Sequence, residues 1–103
     1  MIQLSEIIQS LKPHTVIGNR DKQIANALQL DPANAHDNVL MWVSAKFKDR
    51  LKDIKHGVII CGELPDEFIA PDCTYLITDT PRLAFQTVLT NFFMPKRNTG
   101  ISS

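Results

Sequence analysis

The sequence is short of the features that mark most specialised chains. It has two cysteines, Cys61 and Cys73, in 103 residues. They are too far apart for a CxxC motif and too few for a disulfide scaffold. Each borders a strand-like run, which points to buried thiols. A disulfide, or a zinc site joined by His56 through tertiary placement, are the alternatives. His14, His36 and His56 are scattered, and no two of them sit four apart to form a helical metal pair. No apolar run approaches the roughly 20 residues that cross a bilayer. The N-terminus lacks the charged start and apolar core of a signal peptide, so the chain reads as cytoplasmic. Neither sign of charge is in excess, since eleven Lys and Arg balance eleven Asp and Glu. With no domain-wide positive field, nucleic acid is not an expected partner. A glycine-rich phosphate loop, HExxH and GxSxG are all missing. Glu63, Asp66, Glu67 and Asp72 form an acidic loop in which no two carboxylates are marked out to share a desolvated site. No catalytic residue, metal or cofactor is assigned.

What is present is an ordinary folding composition, 44% hydrophobic and 21% charged. That suits one soluble domain with a single core. Leu4, Ile7, Ile8 and Leu11 make a narrow helical stripe that Pro13 ends. Residues 15–17 read as a short strand, and Gly18, Asn19, Arg20 and Asp21 have strong turn chemistry. Residues 23–28 then read as an extended segment pairing back as a hairpin. Residues 31–38 form a polar loop. Residues 39–43 are a compact apolar strand. Ser44 is placed to cap a basic-faced helix over 45–54, with Phe47, Leu51 and Ile54 facing in. Residues 57–61 form an apolar run of the kind covered on both faces. Residues 62–72 are a loop holding one helical turn near 66–69.

A strand over 74–78 feeds the last long element. Asp79 and Thr80 can cap a helix there, and Pro81 takes the first helical position, where its missing N–H costs nothing. Ala84, Phe85, Val88, Leu89, Phe92 and Phe93 fall on one broad face. This order predicts an α/β fold: a small mixed β-sheet flanked by helices, in a single domain over 1–94. The strands beginning at 39, 57 and 74 lie near the sheet's middle. Residues 95–103 read as a linker or frayed tail.

The stretch from 37 to 47 is the most informative for function. A strand end there meets Ser44 and a new helix, the place where α/β sheets build ligand crevices. Met41 and Trp42 point to opposite sides of the strand, so one of them must be either covered or available to stack. A flat heteroaromatic base could lie against Met41 and Phe47, with Ser44 bonding its edge. The alternative is that all of these are core residues.

Three stretches carry a resemblance. The opening helix is followed by Val16-Ile17-Gly18 and by Ile24-Ala25-Asn26-Ala27. Residues 39–51 are similar to a pattern L-T-F-x-x-N-P-K-Y-x-x-x-L. Asp79-Thr80-Pro81-Arg82-Leu83-Ala84-Phe85 is close to D-N-P-R-L-A-F, the most specific of the three. Together they span nearly the whole chain, and it resembles the N-terminal domain of UDP-3-O-(3-hydroxyacyl)glucosamine N-acyltransferase, an enzyme family of lipid A biosynthesis.

The resemblance implies a module that binds the uracil end of a UDP-linked glucosamine. The family's aromatic, asparagine and tyrosine contacts fall on Met41, Ser44 and Phe47, and all three differ from the family's residues. Met41 keeps a sulfur able to pack on a ring. Ser44 offers fewer hydrogen bonds than an amide, and Phe47 keeps the ring without the hydroxyl. Lys46 matches the family lysine, and Ala45 replaces a proline. In the family, acyl transfer from acyl carrier protein takes place on a hexapeptide-repeat β-helix, with a histidine as base and active sites between the subunits of a trimer. The present chain carries no such repeat and stops near where the repeats would begin, so His14, His36 and His56 are not given that role. An excised front domain and a separate gene product are both compatible with this. The rival expectation is a non-catalytic protein-interaction module that keeps the fold without nucleotide binding. A third reading, the N-terminal domain of the Mur ligases, is opposed by the Lys46-Phe47 pair.

Overall fold

Alternation along the strands sorts the core into two halves, one on each side of the sheet. In the computed structural model, which describes residues 2–93 apart from the side chain of Ala45, the strands are β1 (Ile2–Gln3), β2 (Thr15–Ile17), β3 (Gln23–Ile24), β4 (Asn26–Ala27), β5 (Val39–Val43), β6 (Gly57–Cys61) and β7 (Cys73–Ile77). The α-helices are α1 (Leu4–Leu11) and α2 (Pro81–Val88). Five strands form one sheet in the order β2-β7-β6-β5-β4, while β1 and β3 pair separately as an antiparallel ribbon. Strands β4 to β7 run parallel, and β2 lies antiparallel on β7. The fold is therefore a small α/β domain with a mixed sheet, as the sequence predicts.

On one face, Leu40 and Trp42 of β5, Val58 and Ile60 of β6 and Leu76 of β7 meet Leu4 and Ile7 of α1 and Ala84, Phe85 and Val88 of α2. On the other, Met41, Val43, Ile59, Cys61, Cys73 and Tyr75 meet Leu51, Ile54, Leu30 and Ala70 from the crossovers. Parallel strands added one after another in one direction, through connections of one hand, keep those connections on one face. That second face is covered by short 3-10 turns at Pro32–Asn34, Ala45–Asp53 and Asp66–Phe68. Tyr75 anchors the last of them. Its buried hydroxyl accepts from the Ala70 N–H at 2.9 Å and donates to the Phe68 carbonyl at 3.1 Å.

Three expectations are corrected. The hairpin after the Gly18 turn does not form. β2 pairs with β7, β4 pairs with β5, and the chain between them crosses the N-terminal ends of the parallel strands. Thr74 Oγ1 donates to the Asn19 carbonyl at 2.5 Å, and Lys22 Nζ donates to the carbonyls of Asp72 at 2.6 Å and Gly57 at 3.4 Å. Gly18, at φ 104°, lies against the Cys73 carbonyl, where a Cβ has no room.

The segment expected as a helix over 45–54 is a pair of 3-10 turns broken at Phe47 (φ −114°, ψ 22°). Leu51 and Ile54 face in as expected, but Phe47 faces out. Nor do the predicted cap side chains act as caps. Ser44 and Thr80 occupy the N-cap positions without a side-chain cap bond, and Asp79 turns to His14. Residues 94–103, which take in the expected tail, lie outside the described residues. No helix among the described residues is long and apolar enough to cross a membrane.

Candidate functional site

Because β4 to β7 are parallel, their C-terminal ends all open on the same edge of the domain. A cleft of about 440 Å³ lies beside the ends of β4 and β5, lined by Leu28, Trp42, Ser44, Phe47, Arg50 and Phe85 among others. Trp42 sits on the helix-covered face of β5. Its ring is set against Phe85, with centroids 6.3 Å apart and planes tilted by 36°. Phe85 is anchored in the core by α2, so the indole has a firm backing.

Phe47 also lines the cleft. The break in helical geometry at this residue turns its ring outward, leaving it 50% exposed. The Arg50 guanidinium carbon and Lys46 Nζ lie 5.4 and 5.8 Å from the ring centroid, within cation–π range. Ser44 lines the same cleft. Its hydroxyl has no hydrogen bond among the described residues, since the cap it was expected to make is absent.

Of the three residues expected to hold a base, the fold brings Ser44 and Phe47 to this cleft. Met41 does not reach it. Its side chain is fully buried on the other face of the sheet, and its Cε leans toward Gly57, 2.8 Å from where a Cβ there would lie. A strand's period of two explains the separation, because residues 41 and 44 are an odd number apart and cannot share a face of an extended chain. The same rule places Trp42 and Ser44 together and could have selected Trp42 from the sequence. Arg50 belongs to the charged face of its segment and Phe85 to the apolar face of α2. Only the tertiary arrangement brings them here.

The electrostatics around the cleft are modest. Lys48 Nζ and the Glu63 carboxylate form a 2.8 Å ion pair linking the kinked segment to the loop after β6. The bond holds Glu63 below the usual carboxylate range and raises Lys48. The thiols are not available for chemistry. Cys61 and Cys73 are free and buried, and burial pushes the Cys61 thiol up to about 12. On neighbouring strands, Cys61 pairs in register with Ile77, four positions from Cys73. At about 3.3 Å per residue this is on the order of 13 Å, too far for a disulfide. No group of three or more His, Cys, Asp and Glu among the described residues could hold a metal ion. Among the described residues the cleft is lined without histidine, cysteine or lysine. The arrangement suits holding a ligand by stacking, one hydroxyl and a guanidinium. No protein-family model matches the chain.

Proposed function

We propose that this domain is the substrate-recognition module of a cytoplasmic N-acyltransferase-like protein of lipid A biosynthesis. It would hold the uracil end of a UDP-linked glucosamine, whose amine accepts an acyl group from acyl carrier protein. The observation that supports this reading best is the cleft at the end of β5, lined by the Trp42 and Phe47 rings and by the Ser44 hydroxyl. A pyrimidine lies between Trp42 and Phe47, with Trp42 in the role that the resemblance gives to Met41. Ser44 bonds the ring's edge. The contribution is positional: fixing the uridine presents the amine to a donor thioester on a hexapeptide-repeat domain, within a trimer. One stacked base and few hydrogen bonds give a modest affinity, roughly millimolar.

The test is a titration of isotopically labelled protein with UDP-GlcNAc. Amide shifts centred on Trp42, Ser44 and Phe47 are expected. Silence at those residues in millimolar ligand rejects the reading.

A second reading is a non-catalytic protein-interaction module, favoured by the apolar surface around the cleft. Phe47 is 50%, Leu83 60% and Leu28 38% exposed. It predicts no response to the nucleotide sugar.

A further inference from the structure

The cleft does not end at Ser44. A second hollow, of about 730 Å³, lies at the start of α2, lined by Trp42, Ser44, Asp79, Pro81, Arg82 and Leu83 among others. Trp42 and Ser44 line both hollows, so the two are lobes of one concave surface. Apolar groups make up most of the lining of each. Phe47 and Leu28 stand exposed at the first lobe and Leu83 at the second. Leu83 is in the first turn of α2, off the face that Ala84, Phe85 and Val88 bury, so the fold makes no use of its side chain. A single exposed leucine is ordinary, but several exposed apolar side chains around one concavity mark an interaction surface.

The charges at this surface are mostly of one sign. Lys46, Arg50 and Arg82 are exposed and make no hydrogen bond or ion pair among the described residues. Lys46 and Arg50 lie over the Phe47 ring, and Arg82 lines the second lobe. The carboxylates that follow β6 and β7 are both engaged, Glu63 with Lys48 at 2.8 Å and Asp79 with His14 at 3.0 Å.

We propose that this surface docks an acidic segment of a partner protein. Aliphatic or aromatic side chains of that segment fill the two lobes, and its carboxylates meet Lys46, Arg50 and Arg82. The inference rests on the second reading above and names the chemistry of its partner. Charge selects the occupant. A second copy of this chain would bring the same three cations and, from the linings of the two lobes, no carboxylate but the engaged Asp79. A nucleic acid would meet the cations but leave Leu28 and Leu83 unmatched, and a chain of zero net charge offers it no wider field. An acidic segment with apolar anchors answers both features: the cations steer it and fix its register, while the anchors hold it.

The chain's single tryptophan reports on the surface, because Trp42 lines both lobes. The experiment sorts a displayed library of random linear peptides against the full chain. Synthetic copies of enriched peptides that lack tryptophan are then titrated while Trp42 emission is followed. Enriched peptides should combine Asp or Glu with Leu, Ile or Phe, shift the emission to the blue and lose affinity as salt rises. Leu83→Ala and Arg82→Glu, both at exposed positions, should each weaken binding about tenfold, the second mainly at low salt. The unfolding transition of each variant reports that it is folded. If the enriched peptides are neutral or basic, or R82E binds them as the parent does, the acidic partner is overturned while a protein-interaction role stands. If L83A binds as the parent does, the second lobe takes no anchor and the proposed surface is overturned. If a single-stranded oligonucleotide changes the emission and acidic peptides do not, the cations serve a nucleic acid and the proposal is overturned. If no peptide is enriched, both this inference and the interaction reading fall.

Discussion

The two ends of the parallel strands are built in opposite ways. At the N-terminal ends the chain between β2 and β3 is laid directly across the sheet. Gly18 abuts the Cys73 carbonyl, Thr74 and Lys22 bond to main-chain carbonyls, and Gly57 at φ 112° leaves room for Met41 Cε. At the C-terminal ends no such crossing is seen among the described residues. The strands instead give way to Leu28, Ser44, Gly62 and Asp79, and two lobes of open cleft lie between them. Closing one end with backbone satisfies buried carbonyls and locks the strand order. The other end can then carry unpartnered polar groups and half-exposed rings without endangering the fold. Stability and recognition are thus separated along the strand axis.

The sharpest way to break that comparison is Met41→Ala. Met41 was a candidate contact, but it is fully buried and its side chain runs toward the closed end. Truncation there should cost about 2–5 kcal/mol in urea unfolding, as for other buried methionines. Ligand shifts in the cleft should survive at temperatures where the variant is folded. A variant of near-parental stability that loses those shifts would put Met41 in the site after all.

Gly18→Ala comes next. It places a Cβ against the Cys73 carbonyl at a left-handed φ, and should cost about 2–3 kcal/mol. The check is its unfolding midpoint, with cleft resonances as the control. Near-neutral behaviour would mean that the crossing segment gives way easily and the closed end is not the rigid one.

What could be read from the sequence follows how local each determinant is. The β5 and β6 bounds coincide with the apolar runs 39–43 and 57–61, and β7 begins one residue earlier than expected. Such runs announce strands buried on both faces. The partner of β2 could not be read this way. Gly18 and Asn19 carry turn chemistry that a hairpin would also use, while Val16 pairs with Leu76, far along the chain. At the site, the resemblance's spacing of three falls on Met41, Ser44 and Phe47, while strand geometry separates the first from the second. Phe47 was expected to face inward by helical period. The break at its own φ and ψ, in a segment where among the described side chains only Leu51 and Ile54 are buried, turns it out. Arg50 and Phe85 reach the cleft from distant elements, so no local pattern could have grouped them.

An effect confined to alkaline pH tests how far the open end extends. Cys61 ends β6, and its side chain faces the layer beneath the sheet. Burial raises its folded-state value from 9.0 to about 12. The folded protein then holds this proton where the unfolded chain has lost it. Its contribution is complete below pH 9 and falls as pH rises toward 12, by about 1.4 kcal/mol per unit. Burial raises Cys73 and Tyr75 as well, adding in the same direction at alkaline pH. Cys61→Ala should therefore flatten the decline of unfolding free energy between pH 9 and 11. An unchanged slope would show that water reaches the thiol and that the opening penetrates the sheet.

The smallest expected change in stability is the most informative for function. Phe47 is half exposed and touches the fold through its edge of the cleft, with Arg50 and Lys46 over its ring. Removing the ring should alter unfolding free energy by no more than about 0.5 kcal/mol, the usual range for surface positions. The same Phe47→Ala variant should lose most of the uridine-induced shifts, because a stacked base is worth about 1–3 kcal/mol. The comparison with Met41 then becomes a double dissociation along one short stretch of chain: one residue governs stability and not binding, the other binding and not stability. Should Phe47→Ala instead destabilise the domain by several kcal/mol, the ring would be a structural prop, and the apparent freedom of the open end would be a property of its polar groups alone.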